Sequence, residues 1–276
     1  MHEVDANGIK IPAIGMGTWT LEGDQARKLV AKALDVGYRH IDTAAMYRNE
    51  AAVGLGLRDS GLARSDYFLT TKVWPTEAAP EDFVASVEAS LNRLGVDQLD
   101  LTLIHWPSKT VPFAETIAAL NEVRAKGWTR AIGVSNFTIA QIEEVVALSD
   151  APLACNQIEY HPLLNQTKVI ETCRKHGLAV TSYCPLARGG DLFSNPTVTG
   201  PATRTGASPA QVVLRWHVQQ DGVIAIPRTS NPDRLLENLS VEGFELTTEE
   251  MAAISSLRGA GYRICDFEFS PAWDAA

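Results

Sequence analysis

Three features of the sequence predict a closed (β/α)8 barrel, the TIM-barrel architecture. The chain has 276 residues, 45% of them hydrophobic, enough to bury the core of one large α/β domain spanning 1–276. Short β-branched or apolar runs alternate with amphipathic stretches of helical length, an order that implies a parallel sheet covered by helices. There are eight such runs, each followed by a helix, which suits a closed barrel better than an open sheet.

The opening residues, "HEVDANGIKIPAIG", carry Asn7-Gly8 between apolar flanks, a hairpin signal; this β-hairpin is predicted to plug the barrel floor. A first barrel strand falls near "AIGMGT". Residues 24–37 place Ala26, Leu29, Val30, Ala33 and Leu34 on one helical face, and the strand "YRHID" follows. Helices over 49–60, 80–94, 113–126, 138–148, 166–176 and 208–220 precede the strands "YFLTTKV", "LDLTLIH", "TRAIGVS", "LACNQIE", "LAVTSYC" and "GVIAIP". A helix over 231–239 closes the series. "LTTEEMAAISSL", 246–257, reads as an extra C-terminal helix opened by a Thr-Thr-Glu-Glu cap.

Charge and composition narrow the function. A net charge of -9 with pI near 5.2 argues against holding nucleic acid by phosphate neutralisation. No basic and apolar leader opens the chain, and no window approaches 18 uninterrupted apolar residues, so a cytoplasmic protein without a membrane partner is expected. Cys155, Cys173, Cys184 and Cys265 are widely spaced, which suggests buried thiols rather than a zinc or dithiol site.

In such a barrel the chemistry lies where strands run out into the following loops. The polar residues there are Asp42, Lys72, His105, Ser135 with Asn136, Gln157 with Glu159, Tyr183, and Arg228 with Thr229; Tyr47 follows shortly after the second strand. A phenol titrates near 10 and donates poorly at neutral pH unless a cation stabilises the phenolate. Lys72 is the expected cation, Asp42 its counter-charge, and His105 a hydrogen-bond donor to a carbonyl protonated by Tyr47. This is an acid assembly for reducing a carbonyl, and it needs a hydride donor.

No dinucleotide fingerprint is present: "GMGTWT" lacks the third glycine and "GLGLRD" falls within a helix. The eighth junction, "IPRTSNPDRLLENL", offers another anion site. Ser230 or Asn231 is the expected N-cap and Pro232 the first helical residue. Arg228 and Arg234 supply local positive charge, which suits the extra phosphate of NADPH.

The motifs "GYRHIDTAAMYRNE", "LTTKVW", "LIHWP", "IGVSNF", "NQIEYHP", "TSYCPLARG" and "IPRTSNPDRLLEN" run in the order found in aldo-keto reductases, and the chain resembles that family from end to end. The resemblance implies that Tyr47 is the general acid, Asp42 and Lys72 tune it, and His105 orients the carbonyl. It implies that Ser135, Asn136 and Gln157 hold the nicotinamide carboxamide, with Tyr183 stacked on the ring and Gly17 and Thr18 nearby. Cys184 and Leu186 belong to the same cofactor set, Cys184 standing where serine is usual. Arg228, Thr229, Ser230, Arg234, Glu237 and Asn238 are implied at the adenosine 2'-phosphate end, with Arg228-Thr229 in place of the common Lys-Ser. Gly200 and Pro201 lie inside a crossover that is usually a regular helix, so a distortion is expected there.

Trp19, Trp74, Trp106 and Trp273 fall after strand ends or in the tail, and an aromatic substrate pocket above the nicotinamide is expected from them. The tail "GYRICDFEFSPAWDAA" is short, which leaves that pocket open to small, polar or varied carbonyls; Arg263 is a candidate for a substrate carboxylate. The compact loops resemble the 2,5-diketo-D-gluconate reductase branch, which implies 2,5-diketo-D-gluconate, methylglyoxal and simple or aromatic aldehydes as small-molecule partners, and a monomer. Two other classes compete: an NADPH-binding regulatory protein with little turnover, which an intact quartet argues against, and a metal-dependent hydrolase, for which no His-x-His or carboxylate cluster exists.

Overall fold

The computed structural model describes residues 2–275. The chain opens with β1 (Glu3–Ala6) and β2 (Ile9–Pro12), an antiparallel hairpin in which Ala6 faces Ile9. Asn7 and Gly8, at φ of 52° and 85°, form the tight turn expected of Asn-Gly. The Asn7 amide donates to the carbonyls of Leu153 and His176. Leu153 begins a barrel strand, so the hairpin is pinned to the floor, the end away from the strand-end residues named above.

Eight parallel strands follow: β3 (Met16–Gly17), β4 (His40–Asp42), β5 (Phe68–Val73), β6 (Leu99–Ile104), β7 (Thr129–Ser135), β8 (Leu153–Glu159), β9 (Ala179–Tyr183) and β10 (Val223–Ala225). They pair in chain order. The sheet closes because Ile14 bridges Ala225 in parallel, and because the Gly15 and Gly17 amides donate to the carbonyls of Ala225 and Pro227. Every residue of β5, β6 and β8 is buried, as expected for strands with the barrel interior on one side and helices on the other.

The surrounding helices are α1 (Gly23–Asp35), α2 (Glu50–Asp59), α3 (Pro80–Leu94), α4 (Phe113–Ala125), α5 (Ile139–Leu148), α6 (Thr167–Lys175), α7 (Asp191–Ser194), α8 (Pro196–Thr205), α9 (Pro209–Val218), α10 (Asp233–Leu239) and α11 (Thr248–Ser256). On α1 the five residues expected to face the core are the five buried ones. No helix among the described residues is long and apolar enough to cross a membrane.

The seventh crossover differs from expectation. Gly200 and Pro201 do not break α8, which runs uninterrupted to a left-handed cap at Gly206. Burial of Val198, Pro201 and Ala202 on one face compensates the single hydrogen bond that proline removes. The interruption falls earlier, at Asn195, whose Oδ1 caps α8 by accepting from the Thr197 amide at 2.9 Å. At the eighth junction α10 begins at Asp233, two residues later than the predicted 231. Pro232, expected as the first helical residue, takes the cap position instead, and Asn231 just before it accepts from the Asp233 amide through Oδ1 at 2.9 Å.

Candidate active site

The rim is built from strand ends, and its centre is a buried cation. Lys72, on β5, has no exposed side-chain surface, a position that costs several kcal/mol unless the charge is paired. Its Nζ donates to Asp42 Oδ1 at 2.5 Å, to the Thr43 carbonyl at 2.8 Å and toward the Tyr47 hydroxyl at 3.4 Å. Burial opposes its charge, but Asp42 and Tyr47 outweigh it and hold the ammonium above its ordinary pKa. Asp42, at the end of β4, is saturated on its other side, where Oδ2 accepts from Gln157 Nε2 at 2.7 Å.

Tyr47 ends a 3-10 turn over Ala45–Tyr47. Burial pushes its phenol above the ordinary value and Lys72 only limits the rise. Lys72 therefore acts in the expected direction, favouring the phenolate, but burial outweighs it and the hydroxyl keeps its proton at neutral pH. The His105 ring meets that of Tyr47 edge-on, 5.6 Å between centroids. Burial and then the Lys72 charge drive His105 well below its ordinary pKa, so the ring is neutral and offers one N–H without competing for the proton.

Beside this group the polar ends of β7, β8 and β9 interlock. Ser135 Oγ donates to the Gln157 carbonyl at 2.8 Å, Asn136 Nδ2 to the His105 carbonyl at 3.0 Å, and the Tyr183 hydroxyl to Asn136 Oδ1 at 2.7 Å. Asn136 takes φ of 65°, tolerated because its side chain is locally bonded. Thr18, fully buried, donates to the Asp42 carbonyl at 3.0 Å. At Gly17 a Cβ would stand 3.0 Å from the Ile226 carbonyl, a tight contact that would push the two backbones apart by a few tenths of an ångström.

Against known sequences, the profile of the Aldo/keto reductase family matches residues 13–258. The chain belongs to the aldo/keto reductase family. It is 40% identical over 252 residues to the glyoxal reductase of Bacillus subtilis, covering 91% of this chain and 90% of that one. It superposes with a TM-score of 0.96 on the crystal structure of a proposed 2,5-diketo-D-gluconic acid reductase B, at 48% identity and covering 100% and 98% of the two chains. An aldo-keto reductase of Bombyx mori in complex with NADP superposes at 0.89, with 33% identity and 96% and 94% coverage.

In this aldo/keto reductase, an oxidoreductase by family, the residues around the start of α10 are less enclosed. Arg228 donates to the carbonyls of Trp19 and Thr20. Ser230 and Arg234 are exposed, whereas Thr229 and Asn238 are buried. Thr229 Oγ1 accepts from the Asn231 amide at 3.0 Å. Glu237 is half-buried and accepts from Ser208 Oγ at 2.5 Å. Cys184 lies against the Cys265 thiol, whose hydrogen bond favours the Cys184 thiolate. Leu186, next along, packs partly buried on the core.

Three of the four tryptophans converge. Trp74 meets His105 at 5.0 Å and Phe269 at 5.2 Å, while Trp106 meets Phe267, Phe269 and Trp273 at 6.1, 5.2 and 6.0 Å. Trp19 stands apart, 41% exposed. The expected open pocket is thus partly roofed by the tail; a cavity of about 880 Å3 opens beside Trp74, between Met46, Arg48, Glu77 and Arg93. Phe267 and Phe269 were not singled out above, though the alternating aromatics of "DFEFSPAW" are the signal. Nor were Thr43 and Asn49. Asn49 donates to the carbonyls of Thr18 and Leu21 and accepts from Thr43, tying the first two loops of the rim together. Arg263 lies 3.8 Å over the Trp273 ring, and its buried Nη1 has no partner among the described residues.

Proposed function

We propose that this aldo/keto reductase reduces aldehyde and ketone carbonyls to alcohols with NADPH, the proton coming from Tyr47. The observation that carries the reading is the fully buried Lys72 ammonium held between Asp42 and the Tyr47 hydroxyl. A protonated phenol beside a fixed cation is a loaded acid: as negative charge develops on a carbonyl oxygen, the proton passes from Tyr47 and Lys72 stabilises the phenolate left behind. His105, neutral, orients that oxygen. Asp42 keeps Lys72 charged, and Gln157 keeps Asp42 in place.

The donor set fits the cofactor. Ser135, Asn136 and Gln157 present amide and hydroxyl groups suited to a carboxamide, and Tyr183 an aromatic face. Arg228 and Arg234 flank the start of α10 with Thr229, Ser230 and Asn238, chemistry suited to a phosphate. When bound, the nicotinamide supplies the hydride. The glyoxal reductase and diketogluconate reductase likenesses support methylglyoxal-type dicarbonyls and 2,5-diketo-D-gluconate as substrates, and the aromatic cluster of Trp74, Trp106 and Trp273 supports adding simple and aromatic aldehydes to the panel.

The test is consumption of NADPH with that panel, followed by its absorbance and run beside Tyr47→Phe. Turnover lost in the variant while NADPH still binds supports the reading. Binding without turnover in the wild-type protein overturns it in favour of a regulatory role. Arg263, with an unpaired N–H beside the pocket, is the proposed carboxylate contact: Arg263→Ala is expected to raise KM for carboxylated substrates several-fold, and equal KM changes for carboxylated and neutral carbonyls would refute the assignment.

A further inference from the structure

We infer that Glu159 is a positioning residue for substrate selection, its buried carboxylate clasping the carboxyl-terminal tail and so fixing the aromatic wall beside His105. The inference rests on the proposed reading that this tail walls the substrate pocket.

Residues 262–275 contain no helix or strand, so no backbone ladder fixes their path. Most of the tail's links to the barrel are single hydrogen bonds near solvent. Tyr262 donates to the Leu163 carbonyl at 3.2 Å, Lys109 to the Glu268 carbonyl at 2.7 Å, and Ile139 to Asp274 Oδ2 at 2.9 Å. Glu159 differs in kind. It lies at the end of β8 with no exposed surface, and its two oxygens accept from the amides of Ile264 and Cys265, each at 2.6 Å. The third partner is His161, equally buried, 2.9 Å from Oε1.

Such a carboxylate is expensive to bury and is retained only where every lone pair it offers is used. Burial acts against its charge, yet His161 and the two amides hold Glu159 below its ordinary pKa. The clasp therefore combines charge-assisted hydrogen bonds with exclusion of water, where they are strongest. Apolar packing alone would be served by an aliphatic residue at this position; accepting from two successive tail amides is not.

The clasp lies at the root of the wall. Arg263, stacked on Trp273, immediately precedes it; Phe267 and Phe269, 5.1 Å apart and stacked, follow it and reach Trp106 and Trp74. Trp74 in turn lies edge-on against His105. Gln157, which steadies Asp42, is two residues earlier on the same strand, hence on the same face. One strand end thus holds both the counter-ion of the reaction and the wall that selects what reaches it.

The experiment uses the full-length protein carrying Glu159→Gln, Glu159→Asp, Phe269→Ala, and the Glu159→Gln/Phe269→Ala pair. Gln keeps the shape but turns a donor toward the Cys265 amide; Asp keeps the charge one methylene short and serves should Gln fold poorly. Amide exchange in peptides covering 263–270 is expected to rise while the barrel strands stay protected. KM for an aromatic aldehyde is expected to rise about tenfold in Glu159→Gln, the scale of one lost charge-assisted hydrogen bond, and less in Glu159→Asp. KM for methylglyoxal, kcat and NADPH affinity are expected to hold, and the double variant to be no worse than Phe269→Ala alone. Unchanged tail exchange would overturn the clasp. Raised exchange with both KM values unchanged would overturn the wall reading on which the inference rests. Equal KM rises for both aldehydes, or multiplying effects in the double variant, would show that Glu159 acts elsewhere than through the tail.

Discussion

The two ends of the proposed cofactor groove are built on opposite principles. At the inner end, Asp42, Thr43, Lys72, Ser135, Asn136 and Gln157 are bonded to one another out of water, with half-buried Tyr183 bonded to Asn136 at their edge. At the outer end Arg228, Ser230 and Arg234 face solvent, and Arg228 is held by the carbonyls of Trp19 and Thr20. Proton transfer needs fixed dipoles in a low dielectric, where reorganisation is already done. Holding a phosphate needs only charge at the right place, and solvent screening makes each such contact modest and replaceable.

The sharpest break of this contrast is at the inner end. Tyr47→Phe is expected to lower kcat by about a thousandfold, within the range for loss of a general acid, with NADPH affinity unchanged by titration. Lys72→Met should cost stability as well as activity, because it leaves Asp42 charged, buried and unpaired; a loss of about 3–5 kcal/mol in denaturant unfolding is expected. Asp42→Asn added to it should recover part of that loss. At the outer end, Arg228→Ala and Arg234→Ala are each expected to weaken NADPH binding about tenfold, roughly the worth of one charged hydrogen bond, with kcat and NADH binding preserved. High salt should erase much of the difference.

Acidity separates the two ends more gently. Because Tyr47 stands above its ordinary value and His105 well below its own, the reduction rate is expected to stay flat through neutrality and to fall only as pH rises beyond the ordinary phenol range. Stability should move the other way. His217, buried against the Pro185 carbonyl, is pushed by burial from 6.5 to about 3. Between those values the unfolded chain binds the extra proton, so stability is complete above about pH 6.5 and is lost progressively as pH falls toward 3. Thermal melts of His217→Gln should show a shallower loss over that window.

The alternation of helix and strand was legible because each barrel element is local, and the meeting of Asp42, Tyr47, Lys72 and His105 because strand ends of this architecture converge whatever the intervening sequence. What sequence reading missed is long-range. Nothing in "NQIEY" announces that Glu159 meets amides 105 and 106 residues onward, or that Gln157 meets Asp42 across 115 residues. The balance between burial and Lys72 at Tyr47 was unreadable too, since composition says nothing of how dry a site is. Pro201 misled for a different reason: its local penalty is small beside the face it helps to bury.

The barrel's seam has a consequence for how the molecule breathes. β3 contributes two residues and β10 three, and the join between them depends on the Ile14–Ala225 bridge and a few flanking amides. A junction so thin is the natural place for the ring to part first, at a free energy below that of global unfolding. Thr18 and Arg228 lie just beyond its two lips, so a nucleotide spanning them would act as a staple across the gap. Its affinity would then be spent partly on holding the ring shut, and saturating cofactor would slow exchange at the seam before it raised the melting temperature of the whole.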